Sequence, residues 1–266
     1  MELSYITWNV NPEIIHLGPL SLRWYGLLFA TGFVLGYFIV RKMFLKEGYT
    51  VELLDQLTMY MVIGTVIGAR LGHVLFYDPV YYFSHPWKIL AIWEGGLASH
   101  GAAIGILLSL YLFVRKNKLN YLWLLDRIGI VVALGGVFIR LGNLMNSEIY
   151  GIQTSLPWGF IFKRDGEVLP KHPTQIYESL SYLAIFILLY TLYNKDIYVK
   201  QRGKLFGIFL ILLFLARFLI EFIKNPQSDF EKHMLLDMGQ LLSIPFIIIG
   251  IILIVAANRK FRKQTA

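Results

Sequence analysis

The stretch YLWLLDRIGIVVALGGVFIRLGNLMNSEIYG, residues 121–151, decides how the rest of the chain is read. Between 121 and 141 only Asp126, Arg127 and Arg140 carry charge, the first two near one end and the third near the other. A helix rises about 1.5 Å per residue and needs about 20 mostly apolar residues to cross a hydrocarbon core of roughly 30 Å, so this run is long enough to span a bilayer. Past Arg140 it gives way to a polar tail with Asn143, Asn146, Ser147 and Glu148 before Gly151.

Six further apolar runs resemble it, at 20–40, 53–77, 96–114, 176–194, 205–224 and 237–257. The chain of 266 residues is 56% hydrophobic and 16% charged, where a soluble domain carries about 25% charged residues. The expected fold is an all-α integral membrane protein of about seven transmembrane helices, forming a single transmembrane domain over 1–266. Between spans four and five, residues 142–175 hold Gly151, Pro157-Trp158-Gly159, Asp165-Gly166 and Pro170, and read as a small extracytoplasmic cap. No internal repeat or low-complexity stretch is visible, which weakens an inverted-repeat transporter.

Basic residues fall on alternate loops, as an odd number of crossings requires. Arg41, Lys42 and Lys46 follow the first run, Arg115, Lys116 and Lys118 the third, Lys195, Lys200, Arg202 and Lys204 the fifth, and Arg259, Lys260, Arg262 and Lys263 the last. The other side has Arg23, Lys88, Lys163, Arg164, Lys171, Lys224 and Lys232. The excess of basic residues predicts a cytoplasmic C-terminus and an N-terminus outside. The net charge of +8 is thus a topology signal, lying in short clusters between apolar runs, and no nucleic-acid partner is expected. No Lys or Arg precedes Arg23, so the basic flank of a cleavable signal peptide is missing and the first span is expected to be retained. The absence of cysteine removes disulfides, thiolate metal sites and a cysteine nucleophile, so any thiol chemistry must use a thiol supplied by the substrate.

Charges inside spans cost about 2.5–3.5 kcal/mol each, so each one left there needs a reason. Arg217 lies beyond Lys204 by about 20 Å of helix, in the outer half of its span, and Glu221 is one turn further on the same face. Arg140 reaches the same depth counted from Asp126, with Asn143 one turn beyond. Arg70 and His73 sit near the outer end of the second span, and Tyr25 just inside the first. His100 follows the interfacial stretch Trp93-Glu94-Gly95-Gly96 at the start of the third. Eight polar residues from five segments thus share one depth, which predicts a polar cavity in the outer leaflet. Arginines outnumbering carboxylates there suit a phosphate ester, since a guanidinium fork donates two hydrogen bonds to an anionic phosphate. Each residue also has a plainer reading. Arg217 and Glu221 suit a structural ion pair, Arg140 a side chain snorkelling to headgroups, His100 a helix-end histidine and Tyr25 an aromatic-belt anchor, while Arg70 and His73 read as structural.

The segment Arg140-Leu141-Gly142-Asn143-Leu144-Met145-Asn146-Ser147-Glu148-Ile149-Tyr150-Gly151 resembles the signature of the prolipoprotein diacylglyceryl transferase family. The resemblance extends to Arg23-Trp24-Tyr25-Gly26, Ser99-His100-Gly101, His172-Pro173-Thr174-Gln175-Ile176-Tyr177-Glu178, Arg217-Phe218-Leu219-Ile220-Glu221 and Gly239-Gln240-Leu241-Leu242-Ser243, in an order that covers nearly the whole chain. The family usually has glycine where Ala102 and Ser147 stand here.

This resemblance implies an enzyme of the bacterial cytoplasmic (inner) membrane. Such an enzyme moves the sn-1,2-diacylglyceryl group of phosphatidylglycerol onto the lipobox cysteine of a prolipoprotein signal peptide, with no metal and no cofactor. It implies a functional set of Tyr25, His100, Arg140, Asn143, Glu148, Gly151, Arg217 and Glu221. Within it, His100 is read as the base that forms the thiolate or as a headgroup ligand, and Arg140 and Arg217 as stabilisers of the departing phosphate. Glu221 is expected to hold Arg217, while Asn143, Glu148 and Tyr25 orient the headgroup. A phospholipid scramblase would need polar residues through the inner half as well. That half is apolar apart from residues near the cytoplasmic ends, such as Asp55, Gln56 and Asp126. A structural membrane subunit is the other non-enzyme reading. An intramembrane protease would want a motif such as His-Glu-x-x-His, which is absent.

Overall fold

The computed structural model describes residues 5–17, 20–92, 95–197, 200–225 and 235–265, without the side chains of residues 17, 20, 99 and 262–265. Trp93, Glu94 and Lys232, and the side chains of Arg262 and Lys263, therefore lie outside the described residues. The protein is mostly helical. Each apolar run forms a helix: α1 (Trp24–Lys46), α2 (Val51–Phe76), α5 (Ser99–Lys116), α6 (Tyr121–Met145), α7 (Thr174–Asn194), α8 (Lys204–Glu221) and α9 (Met238–Thr265). Two short helices, α3 (Pro79–Ser84) and α4 (Trp87–Leu90), precede α5. Among the described residues five helices, α1, α2, α6, α7 and α9, are long and apolar enough to cross a membrane.

Four short strands were not expected: β1 (Ile6–Trp8), β2 (Glu13–Leu17), β3 (Leu20–Arg23) and β4 (Phe160–Phe162). The run placed at 20–40 in fact begins as a strand, because Leu20-Ser21-Leu22-Arg23 alternates with period two before the helical pattern starts. It pairs antiparallel with β2, and an exposed Arg23–Glu13 ion pair at 3.2 Å closes the hairpin. β1 lies parallel to β4, bringing Trp8 against Phe160 and its indole N–H onto the Leu144 carbonyl at 3.0 Å.

The chain divides into two compact units, residues 1–39 with 125–266, and residues 40–124. In the first, α6 is the most enclosed span, 61% buried against 22–33% for the other four. Glycines let its neighbours close in: a Cβ on Gly32 of α1 would sit 3.3 Å from Phe138, and one on Gly136 only 2.8 Å from the Tyr182 ring of α7. Gly207 of α8 and Gly250 of α9 face each other, each leaving room for the other's carbonyl. Asp126 explains its own presence in an apolar run: its carboxylate accepts the Gly203 N–H at 2.7 Å and the Phe206 N–H at 2.8 Å, satisfying donors at the start of α8 that have no partner within the helix.

In the second unit Gly64, Gly68 and Gly72 of α2 meet Gly101, Gly105 and Ser109 of α5 at four-residue spacing. A Cβ on Gly72 would fall 2.6 Å from the Gly101 Cα, so the two backbones touch, the close packing that small residues allow between membrane helices. Trp123 packs on Phe44 and Tyr49 and donates its indole N–H to Glu47 at 2.6 Å.

Candidate active site

The polar residues of the first unit are assembled around the loop that follows α6. Ser147 and Ile149 both adopt left-handed backbone conformations, φ 56° and 61°, a strained state for a β-branched residue such as Ile149. The start of α7 holds them there: Thr174 Oγ1 donates to the Ile149 carbonyl at 2.8 Å and Gln175 Nε2 to the Glu148 carbonyl at 2.7 Å. The Glu148 N–H in turn donates to the Asn143 carbonyl at 3.1 Å. Glu148 is thereby turned back onto α6, where its carboxylate accepts Asn143 Nδ2 at 2.7 Å and Asn146 Nδ2 at 3.2 Å. Several buried polar atoms here have no hydrogen-bond partner: Asn146 Oδ1, Ser147 Oγ and Gln175 Oε1.

Arg140 joins this amide group to a chain of charges. Its Nη1 donates to Asn143 Oδ1 at 3.2 Å, it lies within electrostatic range of Tyr182, and its Nε lies 2.8 Å from Glu178 Oε2, an ion pair rather than an aligned hydrogen bond. Glu178 is fully buried, and its other oxygen takes Lys224 Nζ at 3.1 Å. Lys224, 4% exposed, also reaches Glu221 Oε2 at 3.4 Å. Four ionised side chains from α6, α7 and the end of α8 thus alternate in sign, which is how charges survive burial at a cost of several kcal/mol per unpaired ion.

Tyr25 lies against Gly142, where a Cβ would come within 2.7 Å of its ring, and within electrostatic range of Glu148 and Arg140. Gly151 is packed on backbone: its N–H donates to the His172 carbonyl at 2.8 Å, and it bridges Lys224 antiparallel. The expectation that Glu221 holds Arg217 is corrected, because Glu221 pairs with Lys224 instead, and no carboxylate within 4 Å of Arg217 is found among the described residues. Arg217 Nε is buried without a hydrogen-bond partner, while its charge acts on Tyr182.

The second unit carries the remaining candidates. Arg70, 4% exposed, donates Nε to the Ile89 carbonyl at 2.9 Å and Nη1 to the Gly95 and Gly96 carbonyls at 2.6 and 3.1 Å, and Nη2 bonds the Lys88 carbonyl. Its guanidinium also lies over the Tyr82 ring, 5.0 Å from the centroid. His73 and His100 flank Tyr77, with ring centroids 5.3 and 5.8 Å from it. The His100 ring is exposed, and Phe76 meets it edge-on at 5.3 Å.

Two members of the network, Glu178 and Lys224, were not selected from the sequence. Glu178 ended a family motif yet was given no role, and Lys224 was counted as an outer topology residue. The available signal was that Lys224 follows Glu221 by three residues, one helical turn. A cleft of about 490 Å³ is lined by Tyr5, Gln153, Thr154, Ser155, Leu169 and Pro170, none of them a site residue. No group of three His, Asp or Glu side chains suited to a metal ion occurs among the described residues.

The model of the family described as prolipoprotein diacylglyceryl transferase matches residues 12–256. The chain belongs to this family. It is similar to the phosphatidylglycerol–prolipoprotein diacylglyceryl transferase of Tolumonas auensis, 53% identical over 96% of this chain and 99% of that one. The proteins of the same name from Chloroherpeton thalassium and Porphyromonas gingivalis are 48% and 46% identical, over 94% and 96% of this chain and 94% and 95% of theirs. The motif from Arg140 to Gly151 that carries the family resemblance supplies Arg140, Asn143, Asn146 and Glu148 to the network above.

Beyond the network, Tyr150 donates its phenol to Asp165 and to Glu167 Oε1, the latter at 3.0 Å. Burial, then those two hydrogen bonds, push its pKa well above the ordinary phenol value. Trp158 donates to the Tyr177 hydroxyl at 2.9 Å, which leaves that hydroxyl's own hydrogen for His172 Nδ1 at 3.2 Å. Burial lowers the pKa of His172.

Proposed function

We propose that the chain transfers the sn-1,2-diacylglyceryl group of phosphatidylglycerol to the lipobox cysteine thiol of a prolipoprotein, the first step of bacterial lipoprotein maturation. The observation that carries this reading is the network of Arg140, Asn143, Glu148, Glu178, Lys224 and Glu221, three of which, Arg140, Asn143 and Glu148, come from the motif between Arg140 and Gly151. The setting is the bacterial inner membrane with seven spans. To the five long helices are added α5 and α8, whose 18 residues each span about 27 Å, close to the thickness of a hydrocarbon core. The alternation of basic loops supports a cytoplasmic C-terminus, an outside N-terminus and an extracytoplasmic cap over 142–175 within a single transmembrane domain.

In the reaction a thiolate sulfur attacks the glycerol carbon that bears the phosphate. A carbon–sulfur bond forms, the carbon–oxygen bond breaks, and its electrons leave on glycerol phosphate. The thiol, with a pKa of about 8.5, first gives up its proton. His100 is assigned as the acceptor by its motif; in the alternative it binds the headgroup and the positive field of the arginines lowers the thiol pKa. Arg140 and Arg217 stabilise the charge that gathers on the leaving phosphate, where low dielectric strengthens each contact. Asn143, Glu148 and Tyr25 orient the headgroup.

The test is to incubate purified protein with phosphatidylglycerol vesicles and a lipobox peptide and to measure the peptide's mass. Addition of one diacylglyceryl group to the cysteine supports the reading. Lipid exchange between leaflets with no thioether rejects it in favour of a scramblase.

A further inference from the structure

We propose that Glu178 and Lys224 are positioning residues for this reaction: Lys224 bridges the Glu178 and Glu221 carboxylates, and Glu178, so held, fixes the Arg140 guanidinium by its Nε edge. This deepens the transferase reading and rests on it. Glu178 is completely buried and Lys224 nearly so, and each makes its contacts inside the cluster. Around Glu178 stand Arg140 from α6, Tyr182 from its own helix, and Glu221 and Lys224 from the end of α8, with Arg217 acting on Tyr182. Two carboxylates this close need two cations. Arg140 supplies one and Lys224 the other, so removing Lys224 leaves Glu178 and Glu221 competing for Arg140. A guanidinium drawn toward Glu221 swings away from Asn143, whose Oδ1 it now meets at 3.2 Å, and the Asn143–Glu148 contact at 2.7 Å loses its support.

Lys224 is itself placed by backbone. Its strand-like bridge to Gly151, and the Ile152 N–H on the Ile223 carbonyl at 3.0 Å, tie the end of α8 to the loop after α6. The ammonium therefore arrives at Glu178 from a fixed anchor, and the order of charges is built into the fold.

The experiment uses the full-length chain in phosphatidylglycerol vesicles with a lipobox peptide, measuring kcat, KM and thermal unfolding. Lys224→Met and Glu178→Gln are each expected to lower kcat about 100-fold with KM for the peptide unchanged, the size of effect that a misplacement near 1 Å produces. Lys224→Arg, which keeps the charge, is expected to return to within about 5-fold of the parent, since an arginine can bridge two carboxylates. The double variant Glu178→Gln/Lys224→Met removes both charges of one pair, so it remains foldable where a single variant is not. It is expected to stay slow because Arg140 has lost its anchor. Parent-like kcat in Lys224→Met or in the double variant overturns the proposal, as does a loss of rate in Lys224→Met that merely tracks unfolding and is not restored by Lys224→Arg. Failure of the unsubstituted chain to form any thioether rejects instead the transferase reading beneath it.

Discussion

Replacing Gly151 by alanine separates a glycine that touches substrate from one that holds the site's frame. A Cβ at position 151 would lie 2.8 Å from both the His172 Cβ and the Thr174 Cγ2, and would clash still harder with the Ile223 carbonyl oxygen. Carbon atoms rest at about 3.5–4.0 Å, so the surrounding segments must retreat by roughly 1 Å. The atoms in the way, one backbone oxygen and two side-chain carbons, belong to the segments that carry Lys224 and the start of α7. The Gly151 N–H to His172 carbonyl bond at 2.8 Å and the Ile152 N–H to Ile223 carbonyl bond at 3.0 Å lie in the path of that movement. Overpacking of this kind costs about 1–3 kcal/mol and each of the two weakened hydrogen bonds about 1 kcal/mol, so a stability loss of about 3–5 kcal/mol is expected.

The rate should fall further than stability alone explains, by about 100-fold at a temperature where the variant is still folded, because a 1 Å shift of Lys224 is passed to Glu178 and Arg140. Transfer to a lipobox peptide gives kcat and KM, and thermal unfolding in detergent gives the stability change. Gly135→Ala is the control, since a Cβ there meets nothing within 4 Å. A Gly151→Ala protein with parent-like melting and a raised KM alone would refute the reasoning and make Gly151 a substrate contact.

Other substitutions probe the rest of the design. Arg140→Lys keeps the charge but cannot serve Glu178, Asn143 and Tyr182 from one planar fork, so it should lose most of its transfer activity; near-normal transfer would reject the leaving-group role. Ser147→Gly removes a left-handed L-residue and a buried hydroxyl with no hydrogen-bond partner, and should stabilise the protein by about 1 kcal/mol, read as a rise in melting temperature. Gly68→Leu should force α2 and α5 apart, because a Cβ there would already lie 2.8 Å from the Gly105 Cα; a cross-link rate between cysteines placed on these two helices should drop, and an unchanged rate would count against the packing.

Helices are legible because apolar runs of bilayer length allow few other structures; most ends lie within four residues of the runs, while α1 continues six and α9 eight residues further into their basic tails. The strands were not, since β1 and β4 are three residues each and pair across a separation in sequence that no local pattern reports. The left-handed backbone at Ser147 and Ile149 was half visible. The family's glycine at the first position fits the conformation Ser147 adopts, whereas isoleucine at the second runs against its own preference and is held by Thr174 and Gln175.

The depth argument found Arg140, Asn143 and Glu221 but not the residues that join them, and the reason is physical. Depth assigns each charge its own cost, whereas a buried charge persists through a partner, and partners on other helices share no sequence spacing. Glu178 stands five residues into α7 and therefore looks like a span-end carboxylate, yet it is the most enclosed member of the network. Lys224 falls among the outer basic residues in sequence because counting basic residues cannot tell a side chain that faces lipid phosphates from one that turns inward to two carboxylates. Turned inward, Lys224 sets one cation against both Glu178 and Glu221 among apolar helices, and that pairing offsets the burial of the two carboxylates.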